Sequence, residues 1–318
     1  MISNNCSVFN FTLFGPVIAL NIYVFTAVKF IVEALEQDIE YHAVTRESGD
    51  AGRIYVMRGI EKWKSISEYA KKRNINISPL VQGLGHASYI LKHEQNKKLR
   101  DDPKSDWAFN PLDPETYQLQ FDLYLDAMEA TPYGKYLHVG GDEVQTTGRK
   151  SGKSALELNL IWLNKVSAFA EKHNRIPVFW DDMLLKQGEV YYPIYDLNIS
   201  VQKVDSIWEV NEPKLNKFIK QFPENCIYMR WNYHATESYG NSRAMDWFTN
   251  NGLKVMGATA GQTRWTLMPQ RESNIDQIRI FADQSIKRNF NGLLLTLWDD
   301  DSPHFELYKR GISLRVYD

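Results

Sequence analysis

Cysteine is nearly missing from this chain: Cys6 and Cys226 are the two in 318 residues. Two thiols cannot build a disulfide framework, so the fold must rest on its core, and they leave the redox compartment open. An excess of one charge is also lacking. Thirty-seven Lys and Arg face 39 Asp and Glu, a formal net charge of −2, which offers no field for nucleic acid or an anionic membrane. No clean apolar run reaches the ~20 residues of a membrane helix. Residues 8 to 32 are largely apolar, but Asn10, Thr12, Gly15-Pro16, Asn21 and Lys29 interrupt them. No Lys or Arg precedes that run, so the basic start of a secretory signal is missing. Ser3-Asn4-Asn5 before Cys6 is a poor lipoprotein cleavage context. These absences favour a buried barrel strand and helix over a signal or membrane segment, and the cytoplasm as compartment. A periplasmic or secreted protein is expected if further sequence lies upstream. Metal-ligand spacing of the H-E-x-x-H or paired-cysteine kind is absent too, so neither metal nor organic cofactor is expected.

Aromatic residues are plentiful, with nine Trp and seventeen Tyr. Such side chains suit stacking on sugar rings, although each also suits a core. A chain of this length can form one large domain, and residues 1–318 read as a single barrel domain whose N-terminal part is 1–60. Strand-like runs fall at Val17–Phe25, Asn76–Val81, 136–139, Ile176–Trp180, Cys226–Trp231, Leu253–Ala258 and Gly292–Trp298. Val204–Val210 reads as a possible extra strand. Helical spacing marks 60–73, the segment with Leu119, Leu123, Ala127 and Met128, then 155–172, 212–221 and 275–288. Alternation of this kind implies a parallel sheet with helices outside, and seven or eight strands fit an α/β protein of the (β/α)8 barrel type better than a doubly wound sheet. The segment Gly148–Ser154 mimics a phosphate-binding loop, but three residues separate its glycines where four are needed. It reads as a solvated loop.

The stretch Tyr136-Leu137-His138-Val139-Gly140-Gly141-Asp142-Glu143-Val144 carries the chemistry. In a regular strand, neighbouring side chains point to opposite faces, so Asp142 and Glu143 could not share a site. Two glycines permit a sharp turn that aims both acids into one pocket. Paired carboxylates in unlike surroundings can titrate apart, one ionised and one protonated near neutrality. The bland alternative is a strand-to-helix turn with Asp142 as cap and Glu143 in the first turn.

The string His138-Val-Gly-Gly-Asp-Glu143 resembles the signature of glycoside hydrolase family 20, the β-N-acetylhexosaminidases, and its wording is nearest the hexosaminidase D branch. Ser78–His86 is similar to that family's third strand and Gly-His loop. Phe179-Trp180-Asp181-Asp182-Met183 resembles its fifth-strand tryptophan motif, and Gly292–Asp300 its last strand. The resemblance runs from about residue 70 to residue 305. It implies a retaining exo-hydrolase acting on terminal N-acetylglucosamine or N-acetylgalactosamine of a glycan or glycoconjugate. In that reading the substrate's acetamide attacks, Glu143 is acid and base, and Asp142 orients the acetamide. A neutral Glu143 beside an ionised Asp142 is then expected.

The same resemblance places His86, Trp180, Trp231, Tyr233, Trp298 and Asp300 against the sugar. His138 is expected behind Asp142, inside the barrel. Trp208 is a weaker candidate, since it falls on the possible extra strand. Asp300 stands where the family has Glu, one methylene shorter. Family members also carry a first-strand arginine and an N-terminal domain, and neither is legible here. The expectation is therefore a barrel incomplete at its N-terminal end, with an open edge that favours weak activity and self-association. A non-catalytic sugar-binding barrel is the rival reading.

Overall fold

The computed structural model describes residues 23–27, 50–233, 237–262 and 271–297. Seven strands form one sheet: β1 (Tyr23–Ala27), β2 (Asn76–Gly83), β3 (Tyr136–Gly140), β4 (Ile176–Trp180), β5 (Ile227–Trp231), β6 (Lys254–Gln262) and β7 (Leu293–Leu297). Every pairing is parallel, and each strand lies beside its neighbours in sequence. A doubly wound sheet reverses its order at a switch point. This sheet does not, and the architecture is an incomplete (β/α)8 barrel. An eighth strand is not among the described residues, and the stretch Val8–Phe14 lies outside them.

The crossovers are α1 (Asp50–Lys71), α2 (Pro114–Ala130), α3 (Ala155–Lys172), the short α4 (Asp182–Gln187), α5 (Val201–Asn216), α6 (Tyr239–Asn250) and α7 (Arg271–Lys287). Local chemistry sets their starts. Asp113 accepts the Glu115 N–H at 3.0 Å, with Pro114 following it at the start of α2. Ser154, Ser200 and Ser238 cap α3, α5 and α6 in the same way, each at 3.2 Å. Such caps satisfy donors that the first turn leaves open, at about 1 kcal/mol each. No helix among the described residues is long and apolar enough to cross a membrane.

Strand alternation divides the interior into two cores. Tyr136, Val178, Trp180, Ile227, Met229, Met256 and Ala258 pack together on one face of the sheet, inside the barrel. Leu137, Val139, Phe179, Tyr228 and Val255 point the other way and meet the helices through Trp162, Val166, Trp208 and Phe248. Both faces are covered, which is why the strands read as continuous apolar runs. Cys226 is buried in the outer core, and that burial pushes its thiol well above the usual range.

Two expectations need correction. Val204–Val210 is not a strand but the middle of α5. Val204, Trp208 and Leu215 are buried while Val210 is 71% exposed, so the apolar spacing is helical and not alternating. The helix placed at 212–221 is the end of α5 and a separate 3-10 turn at Ile219–Gln221. The helix α6 is not among the helices expected from the sequence, although Ala244, Met245, Trp247 and Phe248 form its buried side.

Candidate active site

The acid pair sits where β3 stops. Gly140 and Gly141 have φ of +72° and +92°, and Glu143 follows at +48°. A Cβ on Gly141 would stand 2.1 Å from the Phe179 ring, so the turn needs glycine there for space as well as for backbone angle. No helix follows at once. The chain runs as a loop to Ala155, which removes the helix-cap reading of Asp142 and Glu143.

The turn brings both acids to one imidazole. His86 Nε2 lies 3.2 Å from Asp142 Oδ2 and 3.5 Å from Glu143 Oε2. His86 comes from the loop after β2, where Leu84 and His86 both have positive φ. Gly85 between them passes so close to the acid loop that an added Cβ would fall 2.5 Å from Val144 Cβ. Burial alone would lower the His86 pKa, but hydrogen bonding and charge from Asp142 and Glu143 outweigh it and raise it to about 9. The converse holds for Glu143, which the hydrogen bond with His86 holds below the usual carboxylate range. The expectation of a neutral Glu143 therefore fails for the ligand-free site, because the imidazolium keeps the proton.

His138 is fully buried inside the barrel, and its Nδ1 accepts the Gly140 N–H at 3.1 Å. Burial lowers its pKa to about 3, so it is a neutral ring. Its face meets Trp180 with centroids 4.7 Å apart. Trp180 itself is 2% exposed and belongs to the core inside the barrel. Trp231 and Tyr233 stand side by side at the end of β5, with centroids 5.1 Å apart. Tyr195 adds a third ring, 6.0 Å from Trp231. Trp298 and Asp300 lie outside the described residues; Thr296 in β7, which shares their strand parity, donates its hydroxyl to the Thr259 carbonyl at 2.8 Å. Trp208 is buried in the outer core against Trp247 and does not approach the acids.

Three further residues escaped the sequence reading. Trp107, within a polar loop, lies against the His86 ring at 4.3 Å and donates its indole N–H to the Glu143 carbonyl at 3.1 Å. Asp182, the first residue of α4, is fully buried and accepts the Glu143 N–H at 3.2 Å. Its burial, above all, raises its pKa. Lys186, one turn on in α4, donates to the same Asp182 oxygen at 3.2 Å. The neighbouring Asp181 faces the other way and pairs with Arg230 at 3.2 Å, both side chains fully buried. Beyond Lys186, a groove of about 480 Å³ is lined by Glu189, Tyr191, Tyr192 and Tyr195. The decoy loop at Gly148–Ser154 is tied down by Asp101, which accepts backbone N–H groups of Thr147 and Arg149 at 2.7 and 3.2 Å.

The site thus offers two carboxylates sharing one protonated imidazole, with the Trp107 ring against that imidazole. The family described as glycosyl hydrolase family 20, catalytic domain, matches residues 34–298. Hexosaminidase D of Bos taurus is 30% identical over 132 residues, 38% of this chain and 38% of that protein. Hexosaminidase D of Homo sapiens is 29% identical over 132 residues, covering 38% of this chain and 27% of that protein. The matched region thus spans well under half the length of these curated relatives. Among solved structures, the chitobiase of Flavobacterium johnsoniae superposes with a TM-score of 0.47 and 16% identity, over 75% of this chain and 34% of that one.

Proposed function

Since this chain belongs to glycosyl hydrolase family 20, we propose that it removes terminal N-acetylglucosamine or N-acetylgalactosamine from glycans, with retention of configuration and with help from the substrate's own acetamide. The observation that carries this reading is the convergence of Asp142 and Glu143 on His86 Nε2.

In family 20 the nucleophile belongs to the substrate, an exception to the two-carboxylate scheme of most retaining glycosidases. The acetamido oxygen forms a bond to the anomeric carbon as the bond to the leaving oxygen breaks. Glu143 gives its proton to that oxygen. Asp142 accepts the acetamido N–H and offsets the positive charge that develops on the cyclic intermediate. A water then attacks the anomeric carbon, Glu143 takes its proton, and the ring opens to the free sugar.

In the empty site the proton resides on His86. Bound sugar displaces water and weakens the ion pair's advantage, so the proton can pass from Nε2 to Glu143 Oε2 across the 3.5 Å that separates them. Trp231 and Tyr233 are assigned to the sugar wall, with Trp180 as floor and His138 holding the turn from within. Trp298 and Asp300 are assigned to the sugar on family resemblance alone. The protein is tested by offering a chromogenic N-acetylglucosaminide beside the matching glucoside. Turnover of the first and not the second supports the reading. Binding without turnover would favour the sugar-binding rival, and equal turnover would remove the acetamide from the mechanism.

A further inference from the structure

Glu143 sits in a backbone conformation that L-residues with side chains rarely occupy, at φ +48°. A left-handed residue of this type costs about 1–2 kcal/mol and persists where its surroundings hold it. Here its peptide groups are held from two sides. The N–H is accepted by Asp182 Oδ2 at the start of α4, and the C=O accepts the indole N–H of Trp107 from the loop after β2. Both holders are themselves fixed. Asp182 is fully buried and takes a second hydrogen bond from Lys186. Trp107 lies against His86, and its own carbonyl accepts the Ala87 N–H at 3.0 Å. The Glu143 side chain, by contrast, is 55% exposed, so side-chain packing does little to direct it.

We propose that Asp182 and Trp107 are positioning residues that clamp the Glu143 peptide and thereby aim its carboxyl at the leaving oxygen. The inference rests on Glu143 being the acid and base. Neither residue needs to touch the substrate. A misplacement of the carboxyl by about 1 Å is enough to cost on the order of a hundredfold in rate, and the penalty falls only on steps that need a proton.

The test uses Trp107→Phe, which keeps a ring against His86 but removes the donor, with Asp182→Ala and Asp182→Asn. Turnover is compared for N-acetylglucosaminides whose leaving groups are poor (methylumbelliferyl) and good (dinitrophenyl). Trp107→Phe and Asp182→Ala are expected to lower kcat/KM about tenfold or more with the poor leaving group and to spare it with the good one, because kcat/KM reports the cleavage step, where a good leaving group needs no proton. Asp182→Asn keeps an acceptor oxygen and is expected to recover part of the loss. Equal losses on both substrates, or none, would overturn the clamp. Amide hydrogen exchange at Glu143 gives a readout independent of turnover. In the intact protein this amide is expected to exchange slowly, and Asp182→Ala to speed it at least tenfold without loosening the β3 amides. Unchanged exchange at Glu143 would overturn the proposal even if the enzyme proved inactive. An inactive wild-type protein with normal exchange behaviour would instead refute the acid role and leave the clamp in place.

Discussion

Nε2 of His86 stands 3.2 Å from Oδ2 of Asp142, nearer than it stands to Glu143. One imidazole therefore carries the charge that lets two carboxylates lie side by side. The link also joins the loop after β2 to the loop after β3, so it is a packing device as well as a source of protons.

That link sets a pH dependence. The His86 pKa is raised from 6.5 to about 9 on folding. A raised pKa means that the stabilisation is fully present below the unfolded value and is lost as pH rises through the folded one. The thermal midpoint of the protein should exceed that of His86→Asn most clearly below pH 6.5, and the gap should close between about pH 6.5 and 9. A gap that widens with rising pH would contradict the ion pair. Activity should fall on the alkaline side as pH rises through about 9, where the folded His86 gives up the proton it shares with Glu143.

Glu143→Gln should lower turnover of substrates with poor leaving groups by roughly 10²- to 10⁴-fold, the usual worth of a positioned acid. Its fold and thermal midpoint should stay close to those of the parent. Near-normal turnover of a poor leaving group would remove Glu143 from the mechanism.

Asp142→Asn should slow chemistry more than it weakens binding of the free sugar. A thiazoline analogue of the cyclic intermediate should bind at least about 100-fold tighter than N-acetylglucosamine, as mimics of the transition state do. Calorimetry with both ligands decides the matter: equal affinities would rule out participation by the acetamide.

Gly141→Ala should destabilise the protein by about 2 kcal/mol or more. The new methyl meets the Phe179 ring and the φ of +92° resists any Cβ. A denaturant titration measures the loss, and a change within about 0.5 kcal/mol would mean the turn relaxes freely.

Trp208→Ala should cost about 3–5 kcal/mol, as large-to-small changes in a core do, because the ring is fully buried against Trp247. Any surviving folded protein should bind sugar as the parent does. Lost sugar affinity without lost stability would return Trp208 to the site.

Much of the architecture was legible because each strand is buried on both faces and so declares itself as an apolar run. β4 falls at Ile176–Trp180, where its sequence places it. Val204–Val210 misled because a β-branched, aromatic segment of seven residues has no period long enough to separate strand from helix. The glycine turn made a convergence of Asp142 and Glu143 readable beside the helix-cap alternative, since two glycines at a strand end permit the sharp bend that aims neighbouring side chains the same way. The supports of Glu143 were hidden for a different reason. Trp107 acts through an indole N–H on a main-chain carbonyl 36 residues away, and Asp182 through an oxygen on a main-chain N–H 39 residues away. Such contacts leave no spacing in the sequence. The ionised state of Glu143 was equally out of reach, because it depends on where the His86 ring comes to rest.

The order of the sheet has a consequence for how the chain comes into being. Each strand from β2 to β6 is hydrogen-bonded to the strand made just before it and the one made just after. Pairing therefore never waits for a distant segment, and loop closure spans one crossover at a time. On the ribosome such a chain can add one strand and one helix per step, each new strand docking on an edge already formed. The growing edge is the vulnerable part of the nascent chain, and the arrival of the next strand is what covers it.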